Sequence, residues 1–467
     1  MILVSGAAAQ WSYVVLSSSP AFGYGVAGGQ QVGNAGTLLR ASLWYGNSPR
    51  VDLMPSGSTE GRVYGTNGTQ QVGTVQIDPL GDRASLWSGT AASWVDLSPA
   101  GSTASEARGI DAHQQVGYAR FGGDLQAGYW TGSPASWVSL HPSGSYTSSM
   151  AFAVDQGKQV GRVSLSTGPG HACLWTGTPG SMVDLHPIGS TSNLSTAFAI
   201  QGNRQVGSIF IGSQFNACMW NGTPASYVSL HPPGALRSEA LGVSGDMQVG
   251  YVTTDRRRAV LWKGSPTGYT SLAAVLSSDY TSSIARGIWQ DSVHTYVVGE
   301  AVNAVLGTTH AILWIGPPGA SISGVVNFGD LSDRMFQPNP VTLEFYEVGT
   351  GVLVETRSVP LGTNGEYSAI PPRSGPLLVS LFEQTWLRRT MLADTTSGSV
   401  TVDFDLVNGD CDHDNEVAIG DYALLSTAFN SSPGNENWNP NADLNRDDGV
   451  DIGDFAILSA NYGEVGD

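Results

Sequence analysis

Ala151-Phe-Ala-Val154, Gln159-Val-Gly161, His171-Ala-Cys-Leu-Trp175 and Met182-Val-Asp-Leu185 follow one another closely and read as one unit of four short strands. The first strand is small and apolar, the second carries Gln-Val-Gly, and the third ends in a Leu-Trp pair. That unit recurs along most of the chain. The tripeptide returns around Val32, Val72, Val116, Val160, Val206 and Val249, and Val297-Val298-Gly299 is a seventh copy. A tryptophan follows each, at Trp44, Trp87, Trp130, Trp175, Trp220, Trp262 and Trp314. First strands recur as Ala107-Arg-Gly-Ile110 and Ala197-Phe-Ala-Ile200, and fourth strands as Trp94-Val-Asp-Leu97 and Trp137-Val-Ser-Leu140.

Four strands in a period of about 44 residues is the size of a propeller blade, where radial repetition leaves only short, protected sheet edges. The unit ending at Trp314 runs straight into Gly316-Pro-Pro-Gly319 and lacks its fourth strand. Trp11-Ser-Tyr-Val-Val-Leu16 is a fourth strand with no unit before it. The repeats therefore predict a mainly β fold: a seven-bladed propeller over residues 1–317, closed by the N-terminal strand.

Beyond Pro317-Pro318 the period breaks. Ile322–Phe328, Val341–Tyr346, Leu353–Val359, Leu377–Leu381 and Val400–Leu406 alternate in polarity, and Asn364-Gly-Glu-Tyr367 reads as a hairpin turn. Six or seven strands in residues 318–407 suggest a small β-sandwich acting as a spacer.

Residues 408–467 carry the most specific chemistry. Asp410, Asp412, Asp414, Glu416 and Asp421 occupy positions 1, 3, 5, 7 and 12 of a loop, and Asp443, Asn445, Asp447, Gly449 and Asp454 repeat the pattern. Side-chain oxygens at 1, 3, 5 and 12 with a backbone carbonyl at 7 are the ligand set of a hard Ca²⁺ ion, so two ions are expected. Position 6 is Asn415 or Asp448, residue types that tolerate a positive φ. Each loop leads into an apolar run, with Leu424, Leu425 and Phe429, or Ile457, Leu458 and Tyr462, spaced to bury one helix face. Cys411, between two ligands, is expected to be exposed.

Charge supports this division. The net charge is −18, of which residues 408–467, with ten Asp, three Glu and one Arg, hold −12. The two lysines, Lys158 and Lys263, form no basic patch, so nucleic acid is not an expected partner. No apolar run has the length of a membrane span. Three cysteines do not make a disulfide framework. Met1–Gln10 is similar to the tail of a signal peptide, with a cleavage-like Ala7-Ala-Ala9, and predicts an extracellular or cell-surface location.

Other motifs carry less. Gly23-Tyr-Gly25-Val-Ala-Gly28 matches a dinucleotide fingerprint in letters only, because it falls on a first strand and no helix pattern follows. His141, His186 and His231 recur in Leu-His-Pro as turn residues on successive units, too far apart to share one ion. Arg256-Arg-Arg258 reads as a solvated loop. No catalytic motif is present, so no catalytic residue is assigned. Glu60, Glu106, Asp155 and Glu239 break the repeat near first strands and are the candidates should the propeller be an enzyme.

Three resemblances follow. The duplicated loop-helix of residues 408–467 closely resembles a type I dockerin, a module that docks onto a cohesin through loop positions 10 and 11. Those positions are Ile419-Gly420 and Ile452-Gly453, nearly apolar and identical in both copies, which implies a partner different from cellulosomal cohesins. The repeats, with His/Asn-Ala-x-Leu-Trp and Val-Asp-Leu, resemble extracellular HAF-type repeats of bacterial surface proteins. Residues 318–407 resemble transthyretin-like or carboxypeptidase-regulatory-like spacers. Together they imply a secreted, non-catalytic binding and scaffold protein whose propeller recognises a polysaccharide or a protein and whose tail attaches to a cohesin-like partner or surface assembly. A glycosidase or lyase carried by a dockerin, and a self-assembling surface or fibre protein, stay open as alternatives.

Overall fold

The computed structural model describes all residues except 1–10, 18, 167, 191–193, 292, 318, 330–339, 374 and 397, so the cleavage-like Ala7-Ala-Ala9 lies outside the described residues. The chain divides into two compact units, Met1–Pro318 and Gly319–Asp467. Residues 318–407 and 408–467, read from the sequence as two domains, thus lie within the same unit apart from Pro318.

Among the described residues the first unit contains seven four-stranded antiparallel sheets. Six are built from four consecutive strands, the first of them from Ala21–Ala27, Gln30–Ala35, Arg40–Trp44 and Val51–Asp52. The last is built from Tyr280–Gln290, Thr295–Asn303 and Thr308–Gly316, and takes Ser12–Val15 as its fourth strand, with Tyr13 opposite Trp314 and Val14 opposite Leu313.

The recurring letters have separate mechanical reasons. Every first strand has a register shift at the same place, between Gly23 and Gly25, Ala107 and Gly109, Ala197 and Ala199, Ala285 and Gly287, and at the equivalent points of the other three. Such a bulge displaces a carbonyl toward the neighbouring strand. The glycine of Gln-Val-Gly sits opposite it: a Cβ on Gly207 would overlap the carbonyl oxygen of Thr196. The glutamine ties the second strand to the turn after the tryptophan, Gln159 Oε1 accepting from Gly177 N at 2.9 Å and Gln205 Oε1 from Gly222 N at 2.8 Å. The tryptophans are buried, Trp175 and Trp314 completely.

Adjacent sheets are joined through buried serines. Ser149 Oγ accepts from Ala127 N (2.9 Å), Ser195 Oγ from Ala172 N (2.9 Å) and Ser238 Oγ from Ala217 N (2.9 Å), each crossing from one sheet to the next. His141, His186 and His231 each place Nδ1 within 2.9 Å of one of these same hydroxyls, so the Leu-His-Pro segments satisfy a buried polar group. Cys173 and Cys218 pack into the apolar layers between sheets. One such layer unites Leu16, Ala21, Val26 and Trp44 with Val298 and Leu313, residues from the two ends of the repeat array. A Cβ on Gly287 would lie 2.9 Å from Tyr24 O, so the last first strand runs beside the first one.

One consequence is testable here. Gly207→Ala is expected to destabilise the first unit by about 3 kcal/mol, because the methyl can be accommodated only by moving backbone. Thermal unfolding followed by tryptophan fluorescence checks it, and a shift no larger than that of a surface alanine would contradict the bulge argument.

The second unit opens with two facing sheets. Glu366–Ala369, Ile322–Phe328 and Val400–Thr401 form one, with Phe404–Leu406 pairing onto Ile322–Phe328; Leu353–Val359, Val341–Glu347, Pro376–Glu383 and Trp386–Asp394 form the other. Phe345, Trp386 and Phe404 share the core between them. The tail then folds as α1 (Ile419–Ala428) and α2 (Ile452–Asn461). Its core takes in Leu387 from the sandwich, beside Cys411, Val417, Leu425, Leu444, Val450 and Leu458. Arg446 pairs with Glu383 at 2.6 Å, and Arg388 N donates to Asn415 Oδ1 at 2.9 Å. Trp386-Leu-Arg-Arg389 and Glu383 are therefore where the tail is held.

Two expectations need correction. Cys411 is buried, 1% exposed, rather than solvent-facing. Its side chain packs in the tail's core with Val417, Leu425, Leu444 and Leu458. Phe429 and Tyr462 do not extend the buried helix faces. Each helix ends one residue earlier, the next residue is extended (φ −58° and −61°), and both rings are exposed.

Candidate metal loops and central cavity

Both acidic loops fold by the same local rules. Positions 4 and 6 take a positive φ in each: His413 and Asn415 at 65° and 70°, Arg446 and Asp448 at 58° and 68°. This turns the position-6 N–H back onto the first carboxylate, so Asn415 N donates to Asp410 Oδ2 and Asp448 N to Asp443 Oδ2, each at 3.0 Å. Asp412, Asp414, Asn445 and Asp447 each accept from the N–H two residues ahead. At position 12, Asp421 and Asp454 are fully buried in the first turns of α1 and α2, where they accept from the N-cap N–H groups of Ala418 and Asp451 at 2.7 Å.

The first loop brings one carboxylate oxygen from each of Asp410, Asp412 and Asp414 within 4.8 Å of one another. Asp410 is only 4% exposed, and its Oδ1 has no hydrogen-bond partner. A buried, orphaned carboxylate oxygen beside two other acids is costly without a cation, and the all-oxygen donor set suits a hard divalent ion. Burial pushes Asp410 above the usual carboxylate range, with Asp421 adding to the rise. In the second loop burial pushes Asp443 up to about 6, with Asp454 and Asp447 contributing. Asp421 stands apart from the three-carboxylate group because its oxygens are engaged by the N–H groups of Cys411, Asp412 and Ala418. Glu416 and Gly449 sit at equivalent places, each donating its N–H to the carboxylate at position 5.

At positions 10 and 11 the isoleucines and glycines differ in role. Ile419 and Ile452 are both 69% exposed, so two identical apolar side chains face solvent at the starts of α1 and α2. Gly420 and Gly453 make room inside the loops: a Cβ on Gly420 would overlap Asp412 Oδ2, and one on Gly453 would lie 2.9 Å from Asn445 Nδ2. Tyr422 of α1 and Phe455 of α2 meet edge-on at 6.2 Å in the same region.

In the first unit, the first strands surround a cavity of about 600 Å³. Three of the four acids weighed for catalysis are ion-paired to arginines two residues away: Glu60 to Arg62 (3.5 Å), Glu106 to Arg108 (3.1 Å) and Glu239 to Arg237 (2.5 Å). Asp155 accepts from Gly202 N at 2.6 Å, bridging two hairpins. This arrangement holds carboxylates beside guanidinium groups rather than pairing an acid with a base. Arg257 is solvent-exposed as expected, but it begins the strand Arg257–Trp262 rather than lying in a loop, lines the cavity and stands 4.8 Å from the Tyr251 ring centroid. Tyr24, Arg108 and Arg286 also line the cavity and were missed by a reading that followed the recurring letters. Their signal lay in the bulge position of the first strands, where the residue does not recur.

No family model and no curated protein matched the chain. Among solved structures, 32% of the chain is similar to 98% of a chain from a type II cohesin–X–dockerin complex of Acetivibrio cellulolyticus, at 20% identity and a TM-score of 0.27. In separate matches, 67% of the chain is similar to 97% of an oligogalacturonate lyase in complex with manganese (9% identity, TM-score 0.41), and 67% to the whole of a putative TolB from Agrobacterium tumefaciens (10%, 0.34).

Proposed function

We propose that the chain is an exported, non-catalytic scaffold in which a seven-bladed propeller, closed by its N-terminal strand, recognises a polysaccharide or protein. Its dockerin-like tail, loaded with two Ca²⁺ ions, attaches it to a cohesin-like partner or surface assembly. Asp410, Asp412, Asp414 and Asp421 with the Glu416 carbonyl would hold one ion. Asp443, Asn445, Asp447 and Asp454 with the Gly449 carbonyl would hold the other. The ions supply charge neutralisation that lets each loop stay folded at the foot of its helix. The observation that carries this reading is the duplication itself: two loops with one hydrogen-bond scheme present Ile419 and Ile452 at equal exposure. The arginine-paired carboxylates of the cavity favour binding over hydrolysis or elimination there.

The test uses the full chain and a panel of cohesin domains, immobilised with Ca²⁺ or with a chelator. Calcium-dependent capture by at least one member is expected, and Ile419→Asp with Ile452→Asp should weaken it at least about a hundredfold, since such central apolar anchors dominate docking energy. Calcium-dependent polymers of the chain alone, seen by sedimentation, would replace the scaffold reading with self-assembly. Depolymerisation of a polysaccharide by the purified chain would replace it with catalysis.

A further inference from the structure

The seven first strands repeat small residues on either side of the bulge, while the residue inside it changes from sheet to sheet. There a bulge leaves one side chain outside the ladder pairing and re-aims it, here toward the central cavity. In order around the sheets the seventh, first, second and third contribute Arg286, Tyr24, Tyr64 and Arg108, which line one arc of it. The fourth, fifth and sixth contribute Phe152, Phe198 and Leu241. The polar arc is continuous. The Arg286 guanidinium lies 5.3 Å from the Tyr24 ring centroid, the Tyr24 and Tyr64 rings are 5.5 Å apart, and Arg108 lies 4.0 Å over Tyr64. Opposite them, the Phe152 and Phe198 rings are 6.0 Å apart.

The polar arc is built to meet negative charge. Arg286 is held by Glu300 through Nε and Nη2, both at 2.6 Å, whereas Arg108 is ion-paired to Glu106 at 3.1 Å and donates Nη2 to the Tyr118 hydroxyl. Nη1 of both has no hydrogen-bond partner among the described residues. Burial keeps the Tyr24 and Tyr64 phenols protonated well above neutral pH, so they remain donors. Around the cavity the four guanidinium groups of Arg108, Arg237, Arg257 and Arg286 meet three carboxylates, Glu106, Glu239 and Glu300, an excess of one positive charge in a chain of net charge −18. An anion with an apolar flank fits the two arcs together. A carboxylate bonds bidentately to guanidinium, and the C–H face of a pyranose stacks on aromatic rings. The volume lies within the range of small-ligand sites, roughly 300–1,000 Å³.

Resting on the reading that the first unit recognises a polysaccharide, we propose that this cavity binds a uronic acid residue of an acidic glycan, its carboxylate toward Arg286 and Arg108 and its apolar face on Phe152 and Phe198. The test is calorimetric titration of the full chain with glucuronic and galacturonic acid trisaccharides against neutral glucose and galactose trisaccharides. Binding of at least one acidic probe is expected, with neutral probes at least about tenfold weaker and the affinity falling with salt. Leu241→Trp fills the cavity from its apolar side and leaves every ion pair intact, so it should abolish binding at an unchanged melting temperature. Arg286→Gln combined with Glu300→Gln removes the buried pair together and should erase the preference for acidic over neutral sugars. Equal binding of neutral and acidic probes, or acidic binding untouched by Leu241→Trp, would overturn the proposal. Binding of benzoate where no uronide binds would overturn the sugar assignment. Co-sedimentation with a polysaccharide that survives Leu241→Trp would overturn the cavity site while leaving glycan recognition by the first unit in place.

Discussion

Deleting Trp11–Ser17 is expected to abolish cooperative unfolding of the first unit. Those residues are the fourth strand of the sheet whose other strands lie about 300 residues later, and Leu16 N donates to Ala311 O at 2.9 Å at the end of the pairing. Trp11 lies against Gly316, and Leu16 sits in the layer that joins the first and last sheets. Losing burial of Trp11, Val14 and Leu16 alone removes about 5 kcal/mol at roughly 1.5–3 kcal/mol per fully buried side chain, allowing for partial exposure. The strand Thr308–Gly316 would also be left with an open edge. Net stabilities of folded domains are roughly 5–15 kcal/mol, so the deletion approaches the whole margin. The decisive companion is a chain with the deletion and a second copy of Trp11–Ser17 placed behind a short turn after Gly316. Ser12 is opposite Ile315, so a hairpin there restores the same register. Recovery of the melting transition is the expected result. A deletion variant that melts like the parent would show that the strand closes nothing.

The repeats were legible because each letter has one mechanical duty. Gln159 holds a turn, Gly161 clears a displaced carbonyl and Trp175 fills an inter-sheet layer, and those duties recur wherever the geometry recurs. The cavity was not legible for the converse reason. Tyr24, Arg108 and Phe152 share a position but no chemistry, so periodicity hides them, and only the bulge register reveals that they face one space. Arg257 is exposed, as its run of charges suggests, yet it opens a strand and stands beside Tyr251, while Arg256 and Arg258 both pair with Asp255.

In the tail, the acidic residues were legible from spacing, since the loop has to place oxygens at fixed intervals. What spacing did not reveal was the support beneath them. Leu387 and Glu383 belong to the sandwich by sequence, yet one completes the tail's core and the other pairs with Arg446. Long-range contacts of this kind leave no periodic trace. The burial of Cys411 belongs to that shared core, whereas Phe429 and Tyr462 are exposed because each helix ends one residue before them.

Replacing Asp410 and Asp443 together by alanine is expected to remove all calcium-dependent stabilisation of the second unit. Each is position 1 of its loop, is at most 8% exposed, and accepts the N–H that shapes the turn. A ligand that binds only the folded state adds about 2.7 kcal/mol per site at a free concentration a hundred times its Kd, so two sites add about 5 kcal/mol. For a unit of this length that is a shift of roughly 10–20 °C. Calorimetry of the parent should therefore show a transition that rises with Ca²⁺ and falls with a chelator. The double variant should hold it at the chelated position in both conditions. Because Leu387 and Glu383 tie the tail to the sandwich, the moving transition is expected to include the Trp386 signal rather than the tail alone. The transition of residues 1–318 should not respond, since they form a separate compact unit. A calcium response surviving in the double variant would place the cation elsewhere, and one confined to the first unit's transition would sever these loops from calcium altogether.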